Sequence, residues 1–551
     1  MGNRNINLLW KNFRGIRKLN TINSDVEFGA DIAHNVRLSK EKSGQLRSIR
    51  SSGWCNSFAE LTEPVIRLFS ANMSGYVSDQ LVAFTKGDSN INVWIIYDST
   101  GNSTIIKIAE FPLTTDVTDV CMTQWGDRLG MVIAFGTSYL GFVYYSVDAV
   151  IGGTQMGTSG FYYQTIDLNA AGATAPLFNV TRIRPYRSRL AVNGYTTYST
   201  GGQARETIYG VWFSEAGNPL NFNMDYMADA TDTSAFYVET GEYVNQLEEY
   251  HGLTAFCRNR SYNITGTSQN DIKVMPLVAK GVFDNATFTI NGKCAYVDSW
   301  AKNIFILRDN IDGTIGFDEP IGDDIQDYLN EVENVTINTC GRRVRMTKSS
   351  GQSLVFDVDI GEWTEETLPE KARTVTFLNN EYFCFDNNVV KTIAEVWNVD
   401  SEQIQDSDKY YSHYRTNLMW LDSQSSVKSH LYPFAIILEP NTANNFFIKF
   451  TTDRGDTYEG QVTKAGFPNV ATYSNDDSVP DDGSQFVDSD DDLSGRVFFS
   501  STQTELLVTV DRPPFWRYLQ IDIYTIDPAQ QFNISGIEAK NTVITDEMLD
   551  Y

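Results

Sequence analysis

Short apolar runs, each introduced by a polar turn, recur along the first 400 residues of the chain. Runs this short, rich in Val, Ile and aromatic residues, are typical of β-strands, because helices need about ten or more residues with helical periodicity. The pattern therefore predicts a series of β-hairpins. The turns are Ser78–Gln80, Gly126–Arg128, Arg187–Arg189, His251–Gly252, Asn291–Lys293, Gly341–Arg343 and Asn379–Glu381.

Successive turns are separated by 38 to 64 residues, which brackets the roughly 40–50 residues of a four-stranded propeller blade. The spacing predicts an all-β fold, with a β-propeller of six to seven blades over residues 51–400, some of them with insertions. A stack of unrelated β-sandwiches would place hairpins at similar intervals, so that alternative stays open. One short helix is expected over Asp323–Val332, where apolar residues follow a helical spacing behind an acidic first turn.

Longer apolar strands appear after residue 400. They predict a separate C-terminal β-sandwich or jelly-roll-like domain over residues 401–551. The segment Asn475–Asp492 contains eight Asp and few apolar residues, so it is predicted to be a solvated or disordered acidic loop. The strands of this region are Leu431–Glu439, Phe446–Thr451, Thr504–Val510, Tyr518–Tyr524 and Phe532–Glu538.

The charge of the chain is unevenly distributed. The formal net charge is -27, yet residues 1–50 carry ten Lys and Arg against four Asp and Glu, which marks them as a basic N-terminal strap. The remaining residues carry 33 basic and 66 acidic side chains. An acidic body is a poor clamp for nucleic acid, because binding to phosphates needs cations that release counterions. It would suit a wall past which DNA slides, although solubility alone explains the charge equally well.

The chain lacks the features of a secreted or membrane protein. Its N-terminus has no apolar signal segment, and no run reaches the roughly 18 apolar residues that a membrane helix requires. Six cysteines are scattered without a C-x-x-C pair, which favours reduced thiols and synthesis in a cytoplasm. We therefore expect a soluble protein with no membrane partner.

Markers of enzymatic chemistry are also missing from the sequence. It contains no G-x-x-x-x-G-K-[ST], G-x-G-x-x-G or G-x-S-x-G motif. Its four histidines lack metal-ligand spacing, and His251 belongs to a turn. The run Asp488–Asp492 fails the EF-hand template, because Leu493 stands at the glycine position and Phe499 at the bidentate glutamate position; calcium binding of another kind stays open. We expect no catalytic, cofactor-binding or metal site, and no enzyme.

One segment keeps an enzymatic alternative open. The sequence from Thr451 to Tyr458 resembles the Asp-box S/T-x-D-x-G-x-T-W of sialidases, which are themselves propellers. The Asp-box is a hairpin-turn device rather than catalytic machinery, and here it occurs once with good agreement. Carboxylate pairs for glycoside hydrolysis are defined by spacing in three dimensions. The alternative function is therefore a carbohydrate-binding or glycoside-hydrolysing, sialidase-like propeller.

Several motifs occur in an order that is recognisable. The strap contains Asn12–Gly15, then Ala33-His34-Asn35-Val36, then Gly44–Arg50. Further along stand Gln124–Leu129, with its G-D-R-L, and Val211–Phe222, which reads V-W-F-S-E-A-G-N-P-L-N-F. Together they resemble the F-x-G, A-x-N-V, G-x-L-x-x-R, G-D-R-L and V-[YW]-[FW]-S-x-x-G-[DN]-P segments of β-propeller head-completion and tail-nozzle proteins of short-tailed bacteriophages, a family of packaged-DNA stabilisation proteins. The third segment departs from its pattern, because three residues separate Leu46 from Arg50. The resemblance covers about residues 10–400.

The resemblance implies a structural role in a virus particle. Members of that family form rings, commonly hexameric, beneath the portal and adaptor, and their lumen is a DNA conduit that is plugged until infection. The chain would then be a virion tail protein, assembled in the cytoplasm of a bacterial host and acting in DNA stabilisation and DNA ejection. Its partners would be further copies of itself, portal and adaptor proteins, and tail fibre or tail tip proteins. Double-stranded DNA would pass through the lumen without specific binding.

Overall fold

Most of the described residues lie in β-strands, as the short apolar runs predict. The computed structural model divides the chain into two compact units. The terminal unit comprises Met1–Gly53, Leu354–Pro369 and Trp397–Tyr551, and the propeller unit comprises Trp54–Ser353 and Glu370–Val396. The structure describes residues 4–10, 13–16, 29–39, 45–48, 59–73, 80–99, 102–112, 119–126, 128–135, 137–145, 154–155, 160–168, 177–198, 206–222, 233–277, 281–290, 292–298, 300–310, 315–318, 320–330, 335–340, 343–348, 352–367, 372–377, 381–385, 389–392, 412–418, 427–430, 435–438, 444–453, 455, 457–464, 473–474, 486–487, 496–497, 504–507, 519–527 and 530–545.

The strands are numbered in chain order. The first ones are β1 (Arg4–Trp10), β2 (Ala30–His34), β3 (Val36–Ser39), β4 (Gln45–Ser48) and β5 (Ala59–Glu60). The first sheet of the propeller unit contains β6 (Val65–Ala71), β7 (Gln80–Lys86), β8 (Asn90–Ser99) and β9 (Asn102–Pro112). The second contains β10 (Asp119–Trp125), β11 (Arg128–Phe135), β12 (Thr137–Tyr145), β13 (Thr154–Gln155) and β14 (Phe161–Asp167).

The third sheet contains β15 (Ile183–Tyr186), β16 (Arg189–Tyr198), β17 (Glu206–Phe213) and β18 (Phe236–Glu239). The fourth contains β19 (Val244–Glu249), β20 (Leu253–Cys257), β21 (Ser261–Thr265) and β22 (Lys273–Leu277). The fifth contains β23 (Val282–Ile290), β24 (Lys293–Asp298), β25 (Asn303–Asp309) and β26 (Ile315–Phe317). A 3-10 turn at Asp323–Ile325 and helix α1 (Gln326–Asn330) follow, which confirms the short helix expected there.

The sixth sheet begins with the hairpin of β27 (Val335–Cys340) and β28 (Arg343–Lys348). Strands β29 (Gln352–Asp357) and β30 (Glu362–Thr367) come next along the chain, and most of their residues belong to the terminal unit. The seventh sheet contains β31 (Ala372–Phe377), β32 (Glu381–Phe385) and β33 (Val389–Thr392), and β5 completes it by pairing with β33. The earliest strand of the propeller unit therefore closes its last sheet.

The first strands of the seven sheets form a closed ring in the part of the chain that the structure describes. Each contacts the first strand of the next sheet, in the order β6, β10, β15, β19, β23, β27 and β31, and β31 contacts β6. Successive antiparallel sheets around a central axis, with their first strands innermost, are the arrangement of a β-propeller. The all-β expectation and the propeller expectation are thereby confirmed.

The predicted turns occupy equivalent places in this ring. Each of the seven lies between the first and the second strand of its sheet. Four of them use the left-handed backbone region. Two do so at a glycine, Gly126 and Gly292, and two at a non-glycine residue, since φ is +54° at Arg187 and +47° at His251, where this conformation costs energy. Each repeat of a polar turn and an apolar run in the sequence therefore corresponds to one sheet of the propeller unit.

The hydrophobic core of the propeller unit lies between neighbouring sheets. One cluster joins the first and second sheets around Phe84, Phe111 and Phe161, which are fully buried. Another joins the second and third sheets around Leu190 and Trp212. Similar clusters join the third to the fourth sheet and the seventh to the first. The sheets joined in this way are thus stabilised mainly by the apolar area that they bury against one another.

The terminal unit joins the two ends of the chain. Its remaining strands are β34 (Ser412–Thr416), β35 (Val427–His430), β36 (Ala435–Leu438), β37 (Asn444–Thr452), β38 (Thr457–Lys464), β39 (Tyr473–Ser474), β40 (Phe486–Val487), β41 (Arg496–Val497), β42 (Thr504–Leu507), β43 (Leu519–Thr525) and β44 (Asn533–Thr545). Strand β44 pairs with β1, β4, β35 and β36. In a second sheet, β2 pairs with β34, which pairs with β43, which pairs with β37. The segments 1–50 and 401–551, expected as a strap and as a C-terminal domain, thus share one compact unit.

The longer strands expected after residue 400 are present where the structure describes them. They correspond to β36, β37, β42, β43 and β44. Most of the acidic segment 475–492 lies outside the described residues, and within it only Phe486–Val487 is described, as β40. Strand β40 pairs with β41.

Candidate functional site

Charged and polar side chains on or beside the innermost strands of the propeller unit form a continuous chain of ion pairs and hydrogen bonds, which we call the inner belt. Arg67 of β6 places Nη1 3.0 Å from Asp119 Oδ1 of β10. The other oxygen of Asp119 lies 2.5 Å from Nη1 of Arg182, which precedes β15 and is only 3% exposed. Arg182 Nε then donates to Gln246 Oε1 of β19 at 2.6 Å. The belt therefore links four consecutive sheets through side chains alone.

The inner belt continues through a second, tighter pair. Arg184 Nη2 of β15 lies 2.8 Å from Glu248 Oε1 of β19, with side-chain exposures of 22% and 14%. The same carboxylate accepts hydrogen bonds from Gln246 Nε2 at 3.3 Å and from Thr287 Oγ1 of β23 at 2.6 Å. Thr287 belongs to the fifth sheet, so the belt extends from the first sheet to the fifth.

The electrostatics of Glu248 argue against acid catalysis by this residue. Burial by itself would raise the pKa of the carboxyl, but Arg184 and the hydrogen bonds from Thr287 and Gln246 hold it below its ordinary value. Glu248 in turn raises the pKa of Arg184, against the effect of burial. A general acid at neutral pH needs a carboxyl pKa shifted upward. Both groups are instead held in their charged forms as an ion pair between two sheets.

The inner belt was not anticipated from the sequence, although a signal for it exists. Arg184 and Glu248 each stand three residues before a predicted turn, and Arg184 lies inside an otherwise apolar strand. A charge within a short apolar strand is expensive unless it is paired. The partner of each lies in the neighbouring sheet, more than sixty residues away, and a single sequence does not reveal that pairing.

The strap motif Asn12–Gly15 is placed by tight packing inside the terminal unit. Phe13 is buried and packs edge-to-face on Tyr414 of β34, with ring centroids 5.5 Å apart. The Tyr414 hydroxyl donates to the carbonyl oxygen of Arg14 at 3.0 Å. Arg14 Nη1 lies 3.2 Å from Oε1 of Glu362, which is only 4% exposed. The motif is therefore an anchor for the N-terminal segment.

Gly15 has a steric role in the same anchor. A Cβ atom on this residue would lie 2.3 Å from the carbonyl oxygen of Trp363 in β30. The close approach lets Ile16 N donate to that oxygen at 2.8 Å. Only glycine permits this distance between backbones.

The second and third strap motifs are also structural. Asn35 has φ +52°, is 4% exposed and donates its backbone N–H to the carbonyl oxygen of Glu365 at 2.7 Å. Leu46 is fully buried on β4 and pairs with Ile534. Ser48 exchanges hydrogen bonds with the backbone of Phe532. Asparagine is tolerated in the left-handed region better than most residues, which explains its use here.

The segment Val211–Phe222 supplies one of the carbonyl groups that bind the buried Arg189. Ser214 is fully buried and its Oγ accepts from Leu190 N at 2.9 Å. Arg189, 2% exposed, donates to the carbonyl oxygens of Ser214 at 2.6 Å, Ser234 at 2.8 Å and Thr267 at 3.2 Å. An arginine can satisfy several carbonyls because its donors form a rigid fork.

The following turn is built by its own side chains. Glu215 Oε2 accepts from Asn221 Nδ2 at 2.8 Å and from Asn218 Nδ2 at 3.1 Å, and Gly217 has φ +77°. Phe222 packs beside the cluster that contains Trp212. The motif therefore fixes a loop between β17 and β18.

The catalytic leads of the sequence do not converge on a site among the described residues. His251 is a turn residue with φ +47°, and its Nε2 lies 2.9 Å from Asp309 Oδ2 on the surface. The Asp-box-like segment makes the hairpin between β37 and β38, where Gly455 has φ +81°. Its similarity to a turn device is thus confirmed. The acidic run Asp488–Asp492 lies outside the described residues.

Metal binding, membrane spanning and thiol chemistry were the other possibilities, and each is considered for the residues that the structure describes. There, no group of three or more His, Cys, Asp and Glu side chains is arranged to hold a metal ion. Likewise, none of the helices described is long and apolar enough to cross a membrane. The cysteines Cys121, Cys257 and Cys294 are free thiols and are buried, and Cys384 is also buried. Burial, followed by the charge of Glu242, raises the pKa of the Cys257 thiol to about 12, so it is a poor nucleophile.

A buried polar cluster also lies in the terminal unit. Asp522 of β43 is 3% exposed, and its Oδ1 lies 2.7 Å from His413 Nε2 and 2.6 Å from Arg415 Nε, both on β34. Burial alone would raise the pKa of Asp522, but these two partners lower it below its ordinary value. The cluster ties two paired strands together.

No protein-family model matches the chain, and no curated protein matches it. Among solved structures, BBS1N in complex with ARL6DN, soaked with mercury, is similar with a TM-score of 0.36 and 10% identity, covering 63% of this chain and 96% of that one. The lead-soaked form of that complex has a TM-score of 0.34 and 11% identity, and the match covers 63% of this chain and 97% of that one. The WD40 β-propeller domain of Doa1 has a TM-score of 0.32 and 10% identity, and the match covers 62% of this chain and 95% of that one. The propeller assignment rests on the ring of sheets in this chain and not on these scores.

Proposed function

We propose that the chain is a non-enzymatic structural protein of a bacteriophage virion, which assembles into a ring of the tail and acts as a tail nozzle and head-tail connector. In this role it stabilises packaged DNA, lines and gates the exit channel, and docks to the portal and adaptor complex. The copy number proposed is six, as the resemblance implies. Fibre or tail tip proteins are proposed as further partners.

The proposal rests on the structural positions of the residues that carry the resemblance. Gly15, Asn35 and Ser214 each occupy a position where the structure demands that residue type: a backbone contact, a left-handed backbone and a buried hydroxyl. The family pattern thus falls on positions that have a structural requirement in this chain. The coincidence of the motif residues with constrained positions supports the proposed relationship.

The finer architecture is part of the same proposal. We assign the seven sheets as seven blades, at the upper limit of the expected number, and the two main sheets of the terminal unit as a β-sandwich. The basic strap, residues 1–50, would meet an acidic neighbour in the particle. The acidic body would keep DNA mobile in the lumen, because like charges do not bind phosphates.

The test is assembly of the purified full chain. We expect negative-stain microscopy and mass photometry to show rings of about six copies, growing in proportion as the protein concentration increases. Affinity for double-stranded DNA should stay too weak to show the salt dependence of a phosphate-binding protein. A monomer at every concentration that turns over chromogenic glycosides, with turnover abolished by mutating one carboxylate, would overturn the proposal in favour of the sialidase-like alternative.

A further inference from the structure

An exposed aromatic residue stands beside two arginines on the turns of adjacent sheets. Trp300, in the turn between β24 and β25, is 70% exposed, which is the highest value among the large apolar side chains described. Its indole Nε1 donates to the carbonyl oxygen of Arg258 at 3.3 Å, in the turn between β20 and β21. Arg260 follows in that same turn and is also exposed. We call Arg258, Arg260 and Trp300 the Trp300 patch.

The backbone beneath the Trp300 patch is fixed on both turns. The buried Asp298 accepts from Trp300 N at 2.7 Å and from Ala301 N at 2.9 Å through Oδ1. On the other turn, Glu242 Oε2 accepts from Asn259 N at 3.1 Å and from Asn259 Nδ2 at 2.9 Å. A side chain held in position while exposed loses little entropy on binding. The patch is therefore preorganised for contact with a partner.

The charge of the Trp300 patch is unusual for this chain. Among the described residues, no carboxylate lies within 4.0 Å of the guanidinium groups of Arg258 and Arg260, and Glu242 is engaged with Asn259. Residues 51–551 carry twice as many acidic as basic side chains. The exposed groups of the patch are therefore two arginines and a tryptophan, above the buried Asp298 and the half-buried Glu242. Trp and Arg are also the residues that most often dominate protein interfaces.

We infer that the Trp300 patch binds a second copy of this chain through its acidic stretch Asn475–Asp492. That stretch holds eight Asp and no Lys or Arg, the densest negative charge in the sequence. Charge complementarity of this kind sets the register of an interface and increases the association rate. A head-to-tail contact between different surfaces of identical subunits produces a ring when its rotation closes. The inference rests on the proposed ring and names the contact that builds it.

The experiment compares self-association of full-length variants by sedimentation velocity and mass photometry. The double variant R258E/R260E should lose assembly, and W300A should weaken it about 30-fold, as loss of a dominant interface residue does. The control K273E/R308E carries the same change in charge on exposed positions of the same unit and should assemble normally. Thermal melting should be the same for all of them, because every altered side chain is exposed.

A charge swap decides whether the acidic stretch is the occupant. Adding D490K/D492K to R258E/R260E in one chain should restore assembly, while D490K/D492K alone should abolish it. If the wild type forms rings and R258E/R260E does too, the inference is overturned while the proposed function stands. If no variant or wild type assembles, both are overturned. If R258E/R260E loses only binding to double-stranded DNA, the occupant is nucleic acid and the inference is wrong.

Discussion

Removal of one charge from the inner belt tests whether it holds the sheets together. In Glu248→Gln the side chain keeps its size, but Arg184 loses the carboxylate that lies 2.8 Å from its Nη2. The charge of Arg184 is then no longer compensated. The new amide also offers N–H donors where the carboxylate accepted hydrogen bonds from Gln246 and Thr287, so the contact between β15 and β19 should be destabilised. Breaking a buried pair by removing one partner costs about 3–5 kcal/mol.

Hydrogen exchange followed by mass spectrometry is the suitable assay, because a chain of two units need not unfold in one step. Since about 1.4 kcal/mol corresponds to a factor of ten, exchange in peptides covering β15, β19 and β23 should accelerate by about 100-fold or more. The control Lys293→Gln breaks a pair with Asp318 whose side chains are 47% and 32% exposed, and such pairs contribute roughly 0–1 kcal/mol. Equal exchange in the two variants would refute the argument. The double variant R184M/E248M should recover much of the loss, because it leaves no unpaired charge.

Three further outcomes are expected. Gly15→Ala should release the strap, since its Cβ would meet the Trp363 carbonyl oxygen at 2.3 Å; limited proteolysis would then cleave the first fifty residues faster than in wild type, and unchanged cleavage would contradict the anchor. Arg189→Met should lower the melting temperature of the propeller unit, because at least three carbonyl oxygens lose a buried donor at about 1–3 kcal/mol for each unsatisfied group; melting within error of the wild type would show that water replaces the guanidinium. The pKa of Asp522 is lowered in the folded chain, so its contribution to stability is present above the unfolded value of about 3.9 and is lost as pH falls through the folded value; Asp522→Asn should flatten that acid limb in a pH series of thermal melts, and an unaltered limb would exclude Asp522 as its origin.

Local pattern was sufficient to predict much of the propeller. All seven turns chosen from polar residues before apolar runs lie between the first and second strands of their sheets. This works because a hairpin turn and the strand after it depend on a few neighbouring residues. The helix near Ile325 and Leu329 was found for the same reason, since both apolar residues lie on one side of it and are buried.

Contacts between distant segments were not predictable from pattern. Strand β1 pairs with β44 at the opposite end of the chain, and nothing in the residues of either strand specifies the other. The partners of the inner belt are of the same kind, because Asp119, Arg182 and Glu248 are brought together by the ring itself. The strap motifs were recognised by resemblance, but only their surroundings explain why Gly15 and Asn35 are needed.

Closure of the seventh sheet by β5 has a consequence for biosynthesis. Ala59 and Glu60 pair with Val390 and Val389, so the ring stays open while the ribosome makes everything in between. During that time β5 has no strand to pair with, and the apolar residues of the first sheet that pack against the seventh are uncovered; unpaired strands and exposed apolar surface promote aggregation. A chain truncated before residue 389 should therefore be recovered mainly in inclusion bodies, whereas the full-length chain can pair β5 with β33 and cover the first sheet with the seventh.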